Sequence, residues 1–435
     1  MTAGRATAVT VDTIYALSSG SPPAAIAIVR ISGPRAETAL AALAGTLPPA
    51  RRPVYRALKS PATGTILDRA LIFRFPGPAS ATGEDVAELH LHGGRAVVAA
   101  VLGALAAIGG LREAGPGEFT RRAFEHGRID LSEAEGLADL LEAETESQRR
   151  SALAMAGGAL SRKIGHWQER LLALAARLEA MLDFSDQGEV GESMPQGWSD
   201  DLATLAEEMR EMVARPGAER LREGVRIVIA GPPNAGKSSL LNYLSGRDAA
   251  ITSAIAGTTR DLVEVPTQIA GKPFLLIDTA GLREVEDEVE AIGVRRAQDV
   301  VAAADLILWL GGSADCPDRA RAILVQSKSD VSPPDPEAQV HVSAKTGEGM
   351  AGLVELMIDW ARLLLPREGE IALNARHRHA IGSALAGVEE ARGSEDFVVA
   401  AEGLRQARLA LDLVTGSAGV ENMLDALFGR FCVGK

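Results

Sequence analysis

Apolar residues recur along this chain in three rhythms, and each predicts a different kind of element. Residues 1 to about 120 mix short β runs with helices. Ala25 to Ile31 is a β-rich run, Pro34 opens a helix that closes at Gly45, and Leu89 and Leu91 alternate with Glu88, His90 and His92 as in a half-buried strand. Helical spacing follows. Ser132-Glu133-Ala134-Glu135 has the form of a capping box opening a helix over Leu137 to Ala143. Leu160, Ile164, Trp167, Leu171, Leu174, Leu178 and Met181 repeat at steps of four and three, one face of a long helix, and Leu202, Leu205, Met209 and Met212 repeat the pattern. From about Leu221 to Leu365 the rhythm changes to compact apolar strands, Val225–Ala230, Phe274–Ile277, Leu306–Leu310, Ile323–Gln326 and Val340–Val342. Helical sequence resumes at Asn374 and runs to the end. Two helical blocks around a strand-rich segment imply one discontinuous helical domain with an α/β domain inserted. The predicted division is 1–120, 121–220, 221–365 and 366–435.

Composition agrees with several domains: 435 residues exceed one core. The 46% hydrophobic content and mean hydropathy of +0.07 fit a globular protein. No apolar stretch of about 18 residues predicts a membrane span, and no basic-then-apolar leader opens the chain. Cys316 and Cys432 are too few for a disulfide framework, which points to a reducing cytoplasm. The ending Cys432-Val433-Gly434-Lys435 has a prenylation box's length but not its residues. Net charge is −13, whereas a chain that gripped RNA alone would carry a basic patch. The densest basic spots, Arg121-Arg122, Arg149-Arg150 and Arg376-His377-Arg378-His379, read as solvated faces, and His90 with His92 as a polar strand face rather than a zinc site.

The most specific chemistry follows strand Val225–Ala230. Gly231-Pro232-Pro233-Asn234-Ala235-Gly236-Lys237-Ser238 fits G-x-x-x-x-G-K-[ST] and precedes a helix closed by Gly246. Loop N–H groups and a helix start hold phosphates, Lys237 adds charge, and Ser238 offers a hydroxyl to magnesium. Gly257-Thr258-Thr259-Arg260-Asp261 supplies a threonine for the γ-phosphate and magnesium. Asp278-Thr279-Ala280-Gly281 places a carboxylate at a strand end and a backbone N–H at Gly281. In Ser327-Lys328-Ser329-Asp330 the last carboxylate accepts the two hydrogen bonds that guanine offers and adenine lacks, and Ser343-Ala344-Lys345 gives a backbone contact for the guanine carbonyl. Five pieces in this order imply GTP.

Leu282 stands where Ras-like GTPases carry the glutamine that orients water. Two replacements are open. Asn234 can hold a monovalent cation beside the β/γ-phosphates, supplying charge as an arginine finger does. Alternatively a carboxylate from Glu284 to Glu290 positions water, and Glu290 stands out because it opens the next helix.

The phosphate loop, G-T-T-R-D, D-T-A-G-L-R and the ending Phe431-Cys432-Val433-Gly434-Lys435 closely resemble the MnmE (TrmE) family of tRNA-modification GTPases over nearly the whole chain. So do Thr82-Gly83-Glu84-Asp85, His92-Gly93-Gly94 and Pro116-Gly117-Glu118-Phe119. The resemblance implies an N-terminal α+β folate-binding and dimerisation domain, a discontinuous helical domain and an inserted Ras-like P-loop G domain. It implies GTP contacts from Asn234, Ala235, Gly236, Lys237, Ser238 and Ser239, and from Ser253, Ala254, Ile255, Ala256, Gly257, Thr258 and Thr259. Asp278, Thr279, Ala280, Gly281, Lys328, Asp330, Ser343, Ala344 and Lys345 complete that set. By the same resemblance potassium is held by Asn234, Ser253, Ile255 and Thr258, magnesium by Ser238 and Thr259, and catalysis falls to Glu290, Asn234 and Lys237. Formyl- or methylene-tetrahydrofolate is expected at Arg30, Glu88, Arg128 and Lys435, with Cys432 a candidate reactive thiol. The implied partners are a second copy of the chain, the flavoprotein MnmG, which alone brings FAD, and tRNA, whose wobble uridine receives a carboxymethylaminomethyl group at C5.

Three departures qualify the resemblance. Ser327 replaces the usual asparagine of N-K-x-D, a side chain too short for the amide tie to the phosphate loop, so weaker nucleotide binding is expected. The stretches around Ile323–Gln326 are too short for full crossover helices, so one flank is expected to be trimmed. Ser18 to Pro23 lacks the family's glycine–arginine stretch at the folate rim. A ribosome-assembly switch GTPase shares the asparagine loop and the apolar residue at 282 but usually carries an RNA-binding appendix. A folate-dependent one-carbon transferase regulated by its GTPase is the third reading.

Overall fold

The computed structural model describes residues 12–185, 194–246, 263–278, 299–367, 369–416 and 421–435. The chain forms two compact units: residues 1–138 with 415–435, and residues 139–414.

The first unit is built on a six-stranded sheet in the order β3-β4-β5-β2-β1-β6, from β1 (Thr13–Leu17), β2 (Ile26–Ser32), β3 (Val54–Lys59), β4 (Ile66–Phe75), β5 (Val86–His92) and β6 (Leu111–Glu113). Only β1 and β6 pair in parallel. Alternation sorts the two faces. Ala27, Val29 and Ile31 of β2, with Ala87, Leu89 and Leu91 of β5, pack under helices α1 (Ala36–Ala44) and α2 (Arg95–Ala106). Arg30, Glu88, His90, Leu71 and Phe73 share the opposite face. The helices α3 (Glu118–Glu125), α4 (Leu131–Glu142) and α13 (Glu421–Phe428) bury Leu131, Leu427, Phe428 and Phe431 together. The capping box of α4 lies earlier than Ser132-Glu135: Glu133 N–H donates to Asp130 Oδ1 at 2.9 Å and Asp130 N–H to Glu133 Oε2 at 2.9 Å. Aspartate accepts the first-turn N–H groups as well as serine does, so the helix starts two residues sooner than the serine suggested.

In the second unit, α5 (Glu146–Ala156), α6 (Ala159–Ser185), α7 (Trp198–Ala214), α11 (Ala375–Gly393) and α12 (Phe397–Thr415) form a helical core around Trp167, Leu171, Leu205 and Leu404. Helices α11 and α12 cross at Gly387 and Gly403. A Cβ on either would come within 2.6 or 2.7 Å of the other's carbonyl oxygen, so only glycine permits this approach. The six-stranded sheet beside it runs β12-β11-β10-β7-β9-β8. Its strands are β7 (Val225–Ala230), β8 (Val263–Ile269), β9 (Lys272–Asp278), β10 (Leu306–Trp309), β11 (Ala322–Gln326) and β12 (Val340–His341), and only β8 runs antiparallel to its neighbour. Helices α8 (Ala218–Glu223), α9 (Lys237–Gly246) and α10 (Met350–Leu364) accompany it. The shortened flank is real: only two single 3-10 turns, Ser313–Asp315 and Arg319–Arg321, lie between β10 and β11, and no helix lies between β11 and β12. Arg321 steadies that link by donating to Ala304 O at 2.7 Å and pairing with Asp318 at 2.9 Å.

Two basic spots are not solvated throughout. Arg122 is 1% exposed and so is His377, whose N–H is capped by Asn374 Oδ1 at 2.9 Å. Among the described residues no helix is long and apolar enough to cross a membrane.

Candidate functional site

Strand β7 carries its chain into the glycine loop with three unusual backbone positions: φ is +150° at Gly231, +59° at Asn234 and +90° at Gly236. A Cβ at Gly231 would sit 3.0 Å from the Leu310 carbonyl carbon, so glycine lets the loop start against β10. Lys237 is 8% exposed and curls back to donate to the carbonyls of Gly231 at 3.1 Å and Pro232 at 2.9 Å. Ser238 Oγ donates to Asp278 Oδ2 at 2.7 Å, and Asp278 is buried at the end of β9. A hydroxyl and a carboxylate facing each other at a phosphate loop are hard oxygen donors of the kind magnesium takes, so this pair fits the ion. Ala235, Gly236 and Ser239 complete the loop and the first turn of α9.

The guanine side is tied to the same loop. Lys328, at φ +58°, donates from Nζ to Asn234 O at 2.7 Å. Ser327 Oγ donates to Ala235 O. The expected loss of the loop tie is therefore corrected: a hydroxyl on a shorter stem reaches a main-chain carbonyl of the loop. Asp330 is exposed beyond it. Ser343 is buried and its backbone bonds with Glu348 and Gly347, so the turn before Ala344 and Lys345 is held by main chain. Ser253, Ala254, Ile255, Ala256, Gly257, Thr258, Thr259, Thr279, Ala280, Gly281, Leu282 and Glu290 lie outside the described residues.

The first unit brings together part of the second expected site. Arg30 pairs with Glu88 across β2 and β5 at 2.9 Å. His90 Nε2 lies 3.2 Å from the other Glu88 oxygen, and its ring lies 4.8 Å from that of Phe73. Arg30 also lies over the Phe119 ring at 5.7 Å. The chain end reaches this neighbourhood: Val433 bridges Pro116, Gly117 N–H donates to Cys432 O at 3.5 Å, and Gly434 abuts Leu17 and Ser18 at the end of β1. Lys435 follows, half-buried, while Cys432 is exposed. Arg128 is exposed beside Gly83. No group of three or more metal-ligating side chains occurs among the described residues.

Sequence reasoning missed what supports this face. Buried Arg122 bonds Glu84 at 3.0 Å, Asp12 at 2.8 Å and Glu118 at 3.1 Å. Burial pushes the Asp12 and Glu118 carboxyls up, but Arg112 and Arg122 beside them, with the Gly115 N–H on Glu118, hold both below the usual carboxylate range. The cluster pins T-G-E-D to α3 and so fixes Phe119 under Arg30. Acidic residues at 84 and 118 inside two recognisable motifs were the available signal.

A strand, a glycine loop wrapped on its own lysine, and a serine–aspartate pair at a strand end define a P-loop nucleotide-binding domain, here carried with a helical core. A family model described as "GTP-binding protein TrmE N-terminus" matches residues 13–128, and one described as "MnmE helical domain" matches residues 131–432. The chain belongs to the MnmE (TrmE) family. It is 57% identical over 428 residues to "tRNA modification GTPase MnmE" of Rhizorhabdus wittichii, covering 98% of this chain and 97% of that one. It is 54% identical over 425 residues to the protein of the same name from Erythrobacter litoralis, covering 98% and 100%. Among solved structures, the G domain of the T. maritima FeoB iron transporter aligns with 32% of this chain and 98% of its own, at 25% identity and a TM-score of 0.25.

Proposed function

We propose that this GTP hydrolase of tRNA modification uses potassium in place of a catalytic glutamine. We further propose that it works as a homodimer with the flavoprotein MnmG, in the cytoplasm, to place a carboxymethylaminomethyl group on C5 of the wobble uridine. The carrying observation is the convergence of Lys237, Ser238 and Asp278 at the ends of β7 and β9. In this reading the loop N–H groups and Lys237, released from its carbonyls, hold the β/γ-phosphates. Ser238 and Thr259 hold magnesium, with Asp278 bonded behind Ser238. Asn234, Ser253, Ile255 and Thr258 hold potassium, which supplies positive charge as the β–γ bond breaks. Glu290 orients a water whose oxygen attacks the γ-phosphorus. The bridging oxygen leaves on GDP, and both protons of the water leave on the phosphate product, as dihydrogen phosphate.

In the same reading Arg30, Glu88, Arg128 and Lys435 hold a formyl- or methylene-tetrahydrofolate as one-carbon donor. Glu88, held by Arg30, suits the pterin donors, and the cations Arg128 and Lys435 suit the glutamate tail. FAD enters only through the partner. The four-segment division at about residues 120, 220 and 365 belongs to the same proposal. The test is nucleoside analysis of tRNA from a strain lacking this gene. Loss of 5-carboxymethylaminomethyluridine and its recovery on complementation support the reading, and unchanged wobble uridines refute it.

A further inference from the structure

The start of α5 holds the base of both strands that build the nucleotide site. Ala270 and Gly271 form a two-residue turn between β8 and β9, with φ +49° and +74°, the tight mirror-image turn that stiffens a hairpin. The Gly271 carbonyl accepts twice from one residue, from Ser147 Oγ at 2.9 Å and Ser147 N–H at 3.3 Å. The next residue grips the helix that leads into the neighbouring strand β7. Gln148 Nε2 donates to Leu221 O at 3.0 Å and Arg222 O at 3.2 Å, two carbonyls in the last turn of α8 before β7 begins. Its Oε1 accepts from Thr145 N–H at 2.8 Å and Glu144 N–H at 2.9 Å, closing the capping box of α5. Arg222 adds a two-pronged pair to Asp139, at 2.7 and 2.9 Å.

At their other ends β7 and β9 reach the nucleotide site, where Ser238 meets Asp278. The strands are register-paired from Val225–Phe274 to Ile229–Asp278. Five paired positions at about 3.3 Å each span roughly 15 Å. A shift of β9 against β7 would change the spacing between the carbonyls that Ser147 and Gln148 hold, at Gly271 just before β9 and at Leu221 and Arg222 just before β7.

We propose that Ser147 and Gln148 are the coupling residues through which the nucleotide state of the P-loop strands is transmitted to the helical core. The assignment rests on the GTPase reading of this unit and adds nothing to the binding site itself. It is distinct from simple packing, because the contacts are hydrogen bonds to three main-chain carbonyls, each broken by a small relative shift.

The test uses the full chain. Hydrogen exchange of residues 139–156 is followed with GDP and with a non-hydrolysable GTP analogue. The S147A/Q148E double variant is then assayed for GTP hydrolysis and, with the flavoprotein partner, for tRNA modification. Glutamate keeps the oxygen that closes the capping box and loses the amide donors. Exchange in α5 is expected to differ between nucleotides in the parent, and that difference to collapse in the variant. Hydrolysis stays within about twofold while modification falls about tenfold, the size of an ordinary coupling energy. Equal exchange in both nucleotide states of the parent overturns the proposal even if the variant fails to fold. So does a folded variant that keeps full modification. Absence of GTP binding in the parent would instead overturn the GTPase reading.

Discussion

Gly434→Ala tests whether the chain end is part of the first unit's site. Gly434 sits at φ +97°, and a Cβ there would lie 2.0 Å from Leu17 O, 2.8 Å from Leu17 C and 3.0 Å from Ser18 Cα. All three are backbone atoms, and β1 is held on both sides by β2 and β6, so the tail must yield. Ordinary van der Waals separation requires a withdrawal of roughly 1–1.5 Å. The disfavoured dihedral adds about 1–3 kcal/mol. Against this the tail beyond Phe431 offers the bridge of Val433 to Pro116, made through the long bond from Gly117 N–H to Cys432 O and contributing about 1 kcal/mol. The substitution therefore outweighs what holds the last residues, while Phe431, buried against Phe428, keeps α13 docked. The expected outcome is a detached Lys435 in a folded unit. Calorimetric titration of the full chain with 5-formyltetrahydrofolate should show affinity lowered about tenfold, as for loss of one charge-assisted contact. The melting temperature should fall by no more than about 2–4 °C, and GTP hydrolysis should not change. Removing Lys435 alone should reproduce the loss. Full affinity in Gly434→Ala would refute the link between tail and site, whereas no folate binding by the parent would refute the folate reading itself.

Hydrolysis should be faster in KCl than in NaCl at equal ionic strength, and Asn234→Ala should abolish the difference; equal parent rates in the two salts would end the cation argument. Ser327→Ala should weaken GDP binding several-fold, because the hydroxyl bond to Ala235 O contributes about 1 kcal/mol, while Asp330→Asn should let ATP compete with GTP; both are read by fluorescent-nucleotide displacement. Burial pushes Glu208 up, but hydrogen bonds from Lys163, Trp167 and Arg170, with the Lys163 charge, bring its pKa from 4.5 down to about 2. A depressed folded pKa stabilises above the unfolded value near 4.5, and that stability is lost as pH falls from there towards 2. With the side chain 29% exposed, the contribution is about 2 kcal/mol, so urea unfolding of Glu208→Gln should show that loss at pH 7 and a flatter acid limb. An unchanged acid limb would show the ion cluster to be inert.

What the sequence revealed depended on which atoms carry each feature. Helix faces such as Leu160 to Met181 and strand runs such as Val225–Ala230 are written in side chains at a fixed period, and the structure places α6 and β7 there. The phosphate loop was legible because its glycines and lysine have fixed spacing; Lys237 and Ser238 stand at the strand end that spacing implied. The resemblance named Arg30 and Glu88 only as separate folate contacts, and the structure pairs them because the antiparallel register sets the two residues opposite each other. What escaped was written in the main chain. The α4 cap moved to Asp130 because any short acceptor can take first-turn N–H groups, and the residue pattern does not say which one will. Ser327 kept its tie to the loop because its acceptor is the Ala235 carbonyl, which every residue possesses. Arg122 went inward because three carboxylates from positions 12, 84 and 118 surround it, a meeting only the tertiary fold arranges. The grips of Ser147 on Gly271 and of Gln148 on Leu221 and Arg222 belong to this same class. A carbonyl has no signature in the sequence, but the residue beside it sometimes does. Glycine marks Gly271, Gly387, Gly403 and Gly434, and at three of these four positions a Cβ would strike a neighbouring backbone. An unexplained glycine is thus the sequence's pointer to contacts that side-chain periodicity leaves out.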